Sequence, residues 1–220
     1  MDPTLASEWA RRRAMVEEQI ARRGVRDEAV LSAMRTVPRH LFVPPALRGR
    51  ATEDRPLDIG HGQTISQPYI VAVITEAVGV SAGDRVLEVG AGCGYQAAVL
   101  AEVASEVYTI ERIPALAEDA ARRLRDLRYD RVRVRAGDGA RGWPEAAPFD
   151  GIVLSCGVAR VPPALVLQLR PGRRLVAPIG PPGDVMDLVV LEKSIDGELN
   201  RRVLMPVRFV PFVGAPAGDS

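Results

Sequence analysis

The sequence predicts an α/β fold: a doubly wound, mostly parallel sheet with a helical N-terminal annex and an antiparallel strand pair at its C-terminal end. Three observations carry this expectation. From about residue 80 to 177, short apolar runs alternate with helical patterns, as a parallel sheet covered on both faces requires. Before residue 80 the apolar residues recur at helical spacing and prolines punctuate the chain. Beyond residue 185, two apolar runs flank Asp196-Gly197, a strong turn dipeptide, with no helix between them.

Each element follows from local pattern. Residues 7–23 read as a helix with Trp9, Val16 and Ile20 on one face and Gly24 placed to end it. Asp27 is a natural N-cap for a second helix carrying Val30, Leu31 and Met34, which must stop before Pro38. Pro44, Pro45 and Pro56 make 43–63 mainly loop, and a third helix starts at Pro68 and runs to about 77. Arg85-Val-Leu-Glu-Val89 is a strand, followed by Gly90-Ala-Gly-Cys-Gly94 and a helix through Ala97, Ala98, Leu100 and Val103. Strands at 107–110, 132–135, 151–154 and 174–177 come next, with a helix over 115–127 and another from Pro162-Pro163 to Pro171-Gly172. The last strands are expected at 188–191 and 202–210, paired antiparallel. The expected organisation is an annex over 1–79, an α/β core over 80–213 joined to it in one unit, and a short tail over 214–220; this tail and residues 1–4 are small and polar enough to fray.

Composition narrows the classes. A chain of 220 residues, 47% apolar and 26% charged, suits one domain with a real core. Its net charge of +1 supplies no field for nucleic acid or an anionic membrane, and Lys193 is the only lysine among 29 basic residues. The run Arg11-Arg12-Arg13, with Glu17 and Glu18 close behind, reads as a solvated helix face. Two cysteines make no disulfide framework, and neither a signal peptide nor the roughly 20 apolar residues of a membrane span is evident, so a cytoplasmic protein is expected. His40 and His61 have no metal-ligand spacing around them, and no metal is expected.

The loop at Gly90, Gly92 and Gly94 joins a strand to a helix, where open α/β sheets bind ligands. Glycine lets the backbone approach a ligand closely, and the helix start offers free N–H groups. On the glycines alone, Gly92-Cys-Gly-Tyr-Gln-Ala97 also satisfies the dinucleotide pattern, and Glu111 suits a ribose in either case. A surface pairing of Glu111 with Arg112 is the bland alternative. Glu88, two residues before the loop, and Asp138-Gly139, after the third strand, change the balance. Glu88, the glycine loop, Glu111 and Asp138 together resemble the ordered signature of the Rossmann-like methyltransferases, in which the first acid holds a methionine amino group, the second the ribose and the third the adenine amine. The charges agree: S-adenosyl-L-methionine presents an ammonium and a sulfonium, whereas a pyrophosphate disfavours a nearby carboxylate.

A narrower resemblance rests on Val37-Pro-Arg-His-Leu-Phe-Val-Pro44 and Gly60-His-Gly-Gln-Thr-Ile-Ser-Gln-Pro-Tyr69, which look like signature segments of the protein-L-isoaspartate O-methyltransferases. Val86-Leu-Glu-Val-Gly-Ala-Gly-Cys-Gly-Tyr-Gln-Ala97 and Val107-Tyr-Thr-Ile-Glu-Arg-Ile113 match the cofactor half, and the likeness spans residues 10–212 in one order. It implies methyl transfer from S-adenosyl-L-methionine to the free α-carboxylate of L-isoaspartyl residues in damaged proteins and peptides, initiating repair. Ser66 then matches the active-site serine, and Thr64, Glu88, Gly90, Gly92, Gly94, Glu111, Asp138 and Gly139 the cofactor-binding set, with Thr64 also placed to help Ser66. Ser66 stands equally where a cap for the helix at Pro68 is expected; the two roles are compatible. Cys93, inside the glycine loop, reads as a small space-filler whose thiol the helix start makes somewhat more acidic. Two departures are visible: Ser155-Cys-Gly-Val158 replaces the family's run of small residues beside the acceptor pocket, and a glutamine common near Met186 is missing. The first keeps open a different peptide or small-molecule carboxylate as acceptor. A catalytically silent nucleotide-binding module and a nicotinamide enzyme are the remaining alternatives.

Overall fold

A computed structural model describes residues 3–212. The expected tail over 214–220 and the first two residues lie outside them. The chain opens with α1 (Pro3–Met15), which passes into a π-helical turn, Val16–Ile20, and a 3₁₀ turn, Ala21–Arg23, ending on Gly24 at φ 104°. The expected single helix over 7–23 is thus three segments. The π turn shifts the helical phase, so Val16 and Ile20 are fully buried while Trp9 stays 52% exposed, against expectation. The arginine run is also not wholly solvated: Arg12 is half-buried and donates to the carbonyl of Arg35.

Asp27 caps α2 (Glu28–Thr36) by accepting hydrogen bonds from the amides of Ala29 and Val30. After a 3₁₀ turn at Arg39–Phe42, the stretch expected to be mainly loop contains another at Pro45–Arg50 and then most of a hairpin, β1 (Leu57–Gly60) against β2 (Gln63–Ile65). Its turn is His61-Gly62, at φ 55° and 68°, the left-handed pair that tight hairpins use. α3 (Pro68–Val78), with its proline in the first turn, leads into the sheet.

The sheet elements are β3 (Arg85–Val89), α4 (Tyr95–Val103), β4 (Glu106–Glu111), α5 (Pro114–Asp126), β5 (Val132–Ala136), β6 (Phe149–Leu154), α6 (Pro163–Gln168), β7 (Leu169–Ile179), β8 (Met186–Lys193) and β9 (Leu199–Val207). Seven strands lie in the order β5-β4-β3-β6-β7-β8-β9. The first five are parallel; β8 runs antiparallel to β7, and β9 antiparallel to β8, closing one end as expected. β7 starts at Leu169 and carries Pro171-Gly172 within it, so the preceding helix is shorter than expected, and the last strand ends at Val207, not 210.

Alternation along the central strands builds two cores. Val86, Val107, Val153, Val176 and Val190 face one cluster with α2, α3 and α4. Leu87, Ile110, Ile152, Leu175 and Val189 face the other, with Leu165 of α6. α4 is buried on nearly every side because α2 and α3 cover its outer face, which explains its almost uniformly apolar sequence. The chain leaves β3 toward β4 and β5, then returns to place β6 on its other side. That reversal opens a crevice at the carboxyl ends of β3, β4 and β6.

Candidate active site

The crevice holds a cavity of about 380 Å³. β3 sends Glu88 into its wall, the loop after β3 supplies Gly90, Ala91 and Gly92, and β4 ends there with Glu111. Gln63, Thr64, Ile65 and Ser66 arrive from the β1–β2 hairpin and the residue beyond it, Ser155 and Cys156 from the end of β6, and Val210, Pro211 and Phe212 from the C-terminal segment. That segment is pinned across the crevice by Gly157 N–H to Val210 O (2.8 Å) and Phe212 N–H to Gly157 O (2.7 Å).

Glu88 is completely buried. It accepts hydrogen bonds from Thr109 Oγ1 (2.7 Å) and Ser155 Oγ (2.9 Å). Burial pushes its carboxyl up to about 7; the two hydroxyls oppose the rise and the charge of Glu111 adds to it. Glu111 is 7% exposed and turns its oxygens onto the loop, Oε2 to the Gly92 amide (2.8 Å) and Oε1 to the Ile113 amide (2.9 Å). It makes no ion pair with Arg112 among the described residues. Each oxygen retains capacity for a further hydrogen bond.

The predicted set divides. Thr64, Ser66, Glu88, Gly90, Gly92, Glu111 and Gly139 share one cavity wall. Gly94 and Asp138 are not on it. At Gly94 (φ 88°) a Cβ would press on Leu124 and Ala120, so this glycine lets α5 pack against the start of α4. Asp138 caps a 3₁₀ turn through the amide of Ala140 at 3.0 Å, and the turn brings Gly139 to the wall, where a Cβ would run into Val89. The cap of α3 is Gln67, without a side-chain bond, so the expected capping role of Ser66 is not taken up. Cys93 is buried and its thiol is raised by desolvation, which outweighs the helix start that was expected to lower it. Met186 packs beneath Gly157 and Gly180, away from the cavity.

Two contributors escaped the sequence reading. Thr109 lies opposite Glu88 in the β3–β4 register; its signal is a small hydroxyl residue between Tyr108 and Ile110, which pattern alone treats as β-propensity. Ser155 was placed beside the acceptor, but not as a hydrogen-bond donor to Glu88. It also borders a second cavity of about 590 Å³, which shares Thr64, Ser66, Ser155 and Val210 with the first.

The donor set tests the cofactor. Two carboxylates with little basic character on the wall suit a ligand bearing an ammonium and a sulfonium and oppose a pyrophosphate. A family model described as protein-L-isoaspartate(D-aspartate) O-methyltransferase matches residues 10–217. The chain belongs to this family. Protein-L-isoaspartate O-methyltransferases of Opitutus terrae and Pelotomaculum thermopropionicum are 55% and 53% identical to it, over 91% and 92% of this chain and 86% and 88% of theirs. A solved protein-L-isoaspartate O-methyltransferase superposes with a TM-score of 0.82 at 31% identity, over 92% of this chain and 66% of that one. A putative one from Plasmodium falciparum, in complex with S-adenosyl-L-homocysteine, has the same fold (TM-score 0.77, 22% identity, 92% of this chain and 98% of that one). Like its family, the enzyme uses S-adenosyl-L-methionine to methylate the free α-carboxylate of L-isoaspartyl residues in damaged proteins and peptides, the step that initiates their repair.

Proposed function

We propose that the smaller cavity holds the methyl donor, the larger one the isoaspartyl segment, and that transfer takes place at the wall they share. The supporting observation is that Thr64, Ser66, Ser155 and Val210 line both. Bound there, S-adenosyl-L-methionine supplies a methyl on a sulfonium, and passing it to a carboxylate cancels two opposite charges with no proton moved. Glu88 receives the amino group, and its protonated fraction is displaced by that cation. Glu111 holds the ribose hydroxyls, while Gly90, Gly92 and Gly139 keep the wall close to the ligand. Asp138, one residue from the wall, takes the adenine amine.

Ser66 is the catalytic residue. The acceptor's α-carboxyl, with an ordinary pKa of about 3.3–3.7, is already an anion at neutral pH, so no general base is required. The side chain must orient one oxygen without weakening the other as a nucleophile, and a neutral hydroxyl does this better than a cation. Orientation of this kind is worth several kcal/mol. Thr64 supports it from the hairpin. The organisation behind the site is an annex over 1–79 that brings the acceptor loop to a core over 80–213, acting as one unit. Isoaspartyl proteins and peptides in the cytoplasm are the partners, without nucleic acid or membrane; no helix among the described residues is long and apolar enough to cross one.

Ser66→Ala is expected to lower kcat by about 10- to 100-fold through lost aim of the attacking oxygen, with S-adenosyl-L-homocysteine affinity unchanged. Steady-state methylation of an isoaspartyl peptide and its aspartyl twin, with calorimetry, checks this. Unchanged kcat removes Ser66 from the chemistry; equal methylation of the two peptides favours another carboxylate acceptor.

A further inference from the structure

The two cavities differ in electrostatic character. The donor cavity has Glu88 and Glu111 on its wall with Arg112. Among the described residues, the wall of the larger cavity carries one formal charge, the guanidinium of Arg208, just beyond β9. Around it are Pro56, Ile70, Val185 and Phe209 with the hydroxyls of Thr64, Ser66 and Ser155. Arg208 is exposed and enters none of the ion pairs or side-chain hydrogen bonds among the described residues, whereas Arg201 of β9 holds Asp187 at 3.1 Å and Arg174 of β7 holds Glu192 at 3.0 Å. Asp184, beside the wall residue Val185, is not on the wall and directs Oδ1 to the Val185 amide at 2.6 Å.

We propose that Arg208 is a specificity-determining residue that binds a second, spectator carboxylate of the acceptor. This rests on the larger cavity being the acceptor site. The reacting carboxylate is a poor partner for it: that group loses its charge as the ester forms, so a guanidinium bound to it would hold the ground state more strongly than the transition state and slow the reaction. A carboxylate that stays charged throughout gives uniform binding, which lowers KM and leaves kcat alone. Two sources present that chemistry, an acidic side chain flanking the isoaspartyl residue and the C-terminal carboxylate of a short peptide. Ser66 aims the nucleophile with a neutral hydroxyl; Arg208, on the wall of the same cavity, anchors the chain that carries it.

The test uses isoaspartyl peptides with Glu or Gln next to the damaged residue, each as the C-terminal amide and as the free acid. Wild type, Arg208→Gln, Arg208→Lys and Val185→Trp enzymes are compared. For the wild type, the peptide with a spectator carboxylate is expected to show a KM about fivefold lower than the neutral amide, with equal kcat and a preference that shrinks in high salt. The Glu amide and the Gln free acid separate the two sources. Arg208→Gln should abolish the preference at unchanged kcat, and Arg208→Lys should keep part of it. A wild-type enzyme without the preference, a preference intact in Arg208→Gln, or a fall in kcat common to all peptides overturns the proposal. Val185→Trp, which fills the cavity from an exposed position, tests the underlying reading separately: if it leaves the KM of every peptide unchanged, the acceptor binds elsewhere.

Discussion

At the residue scale, Glu88 is a wholly buried carboxylate on the wall of the smaller cavity. Its carboxyl stands at about 7 against an ordinary 4.5, so between those values the free native protein holds a proton that the unfolded chain has released. Stability from this group therefore falls as pH rises through that window, and above about 7 the full cost, on the order of 3 kcal/mol, applies. Glu88→Gln should make the donor-free enzyme more stable than wild type at pH 8, with the gain shrinking toward pH 5.5. S-adenosyl-L-homocysteine affinity should rise with pH through about 7 in the wild type and be weak and flat in the variant. Thermal melts and calorimetry at the two pH values check both; identical pH dependence in the two proteins would mean that Glu88 neither titrates nor meets the ammonium. Glu88 was legible in the sequence because an acid two residues before a glycine loop ends a strand at the ligand-binding edge. Its hydroxyl partners were not, because Thr109 and Ser155 reach it only through strand pairing.

At the element scale, the β1–β2 hairpin delivers Thr64 and, just beyond β2, Ser66 to both cavities. Its Ile59 lies where a side chain at Gly92 would touch it, so the hairpin braces the glycine loop as well. The turn depends on Gly62 at φ 68°, a conformation that costs an L residue about 1–2 kcal/mol. Gly62→Val is therefore expected to raise KM several-fold for donor and acceptor alike while lowering Tm by only a few degrees, since the hairpin tip is exposed. Steady-state kinetics and a thermal melt decide: a large loss of Tm with both KM values intact would make the hairpin a fold element only. The hairpin was hidden in a stretch read as mainly loop, because three prolines punctuate it and His61-Gly62 is not among the Asn-Gly, Asp-Gly or Gly-Gly dipeptides that announce a tight hairpin. The π turn at Val16–Ile20 was hidden for a related reason: one extra residue per turn leaves the composition helical while rotating Trp9 away from the core.

At the scale of the whole molecule, annex and sheet share one apolar cluster. Met15, Ile20, Met34 and Phe42 belong with Val86, Leu100, Val107 and Val176, and Tyr95, on the wall of the smaller cavity, packs edge-on to Phe42 at 5.4 Å between ring centroids. A fragment starting at residue 80 would expose the outer face of α4 and is expected to lack a cooperative thermal transition, while the full chain melts in one step by circular dichroism and fluorescence together. A fragment with its own sharp transition would make the core independent of the annex. Periodicity along the chain determined which segments are strands and helices, the parallel character of the sheet, and the acids and glycines at the ends of its first strands. These are local properties, recorded in neighbouring residues. Only the tertiary structure decided that Ser66, Glu88, Ser155 and Val210 meet in one wall, that a second cavity adjoins the first, and that Arg208 is the charge upon it. The reason is that strand order and register set which distant residues become neighbours, and an alternating apolar pattern, repeated in almost every strand here, is compatible with many orders and registers.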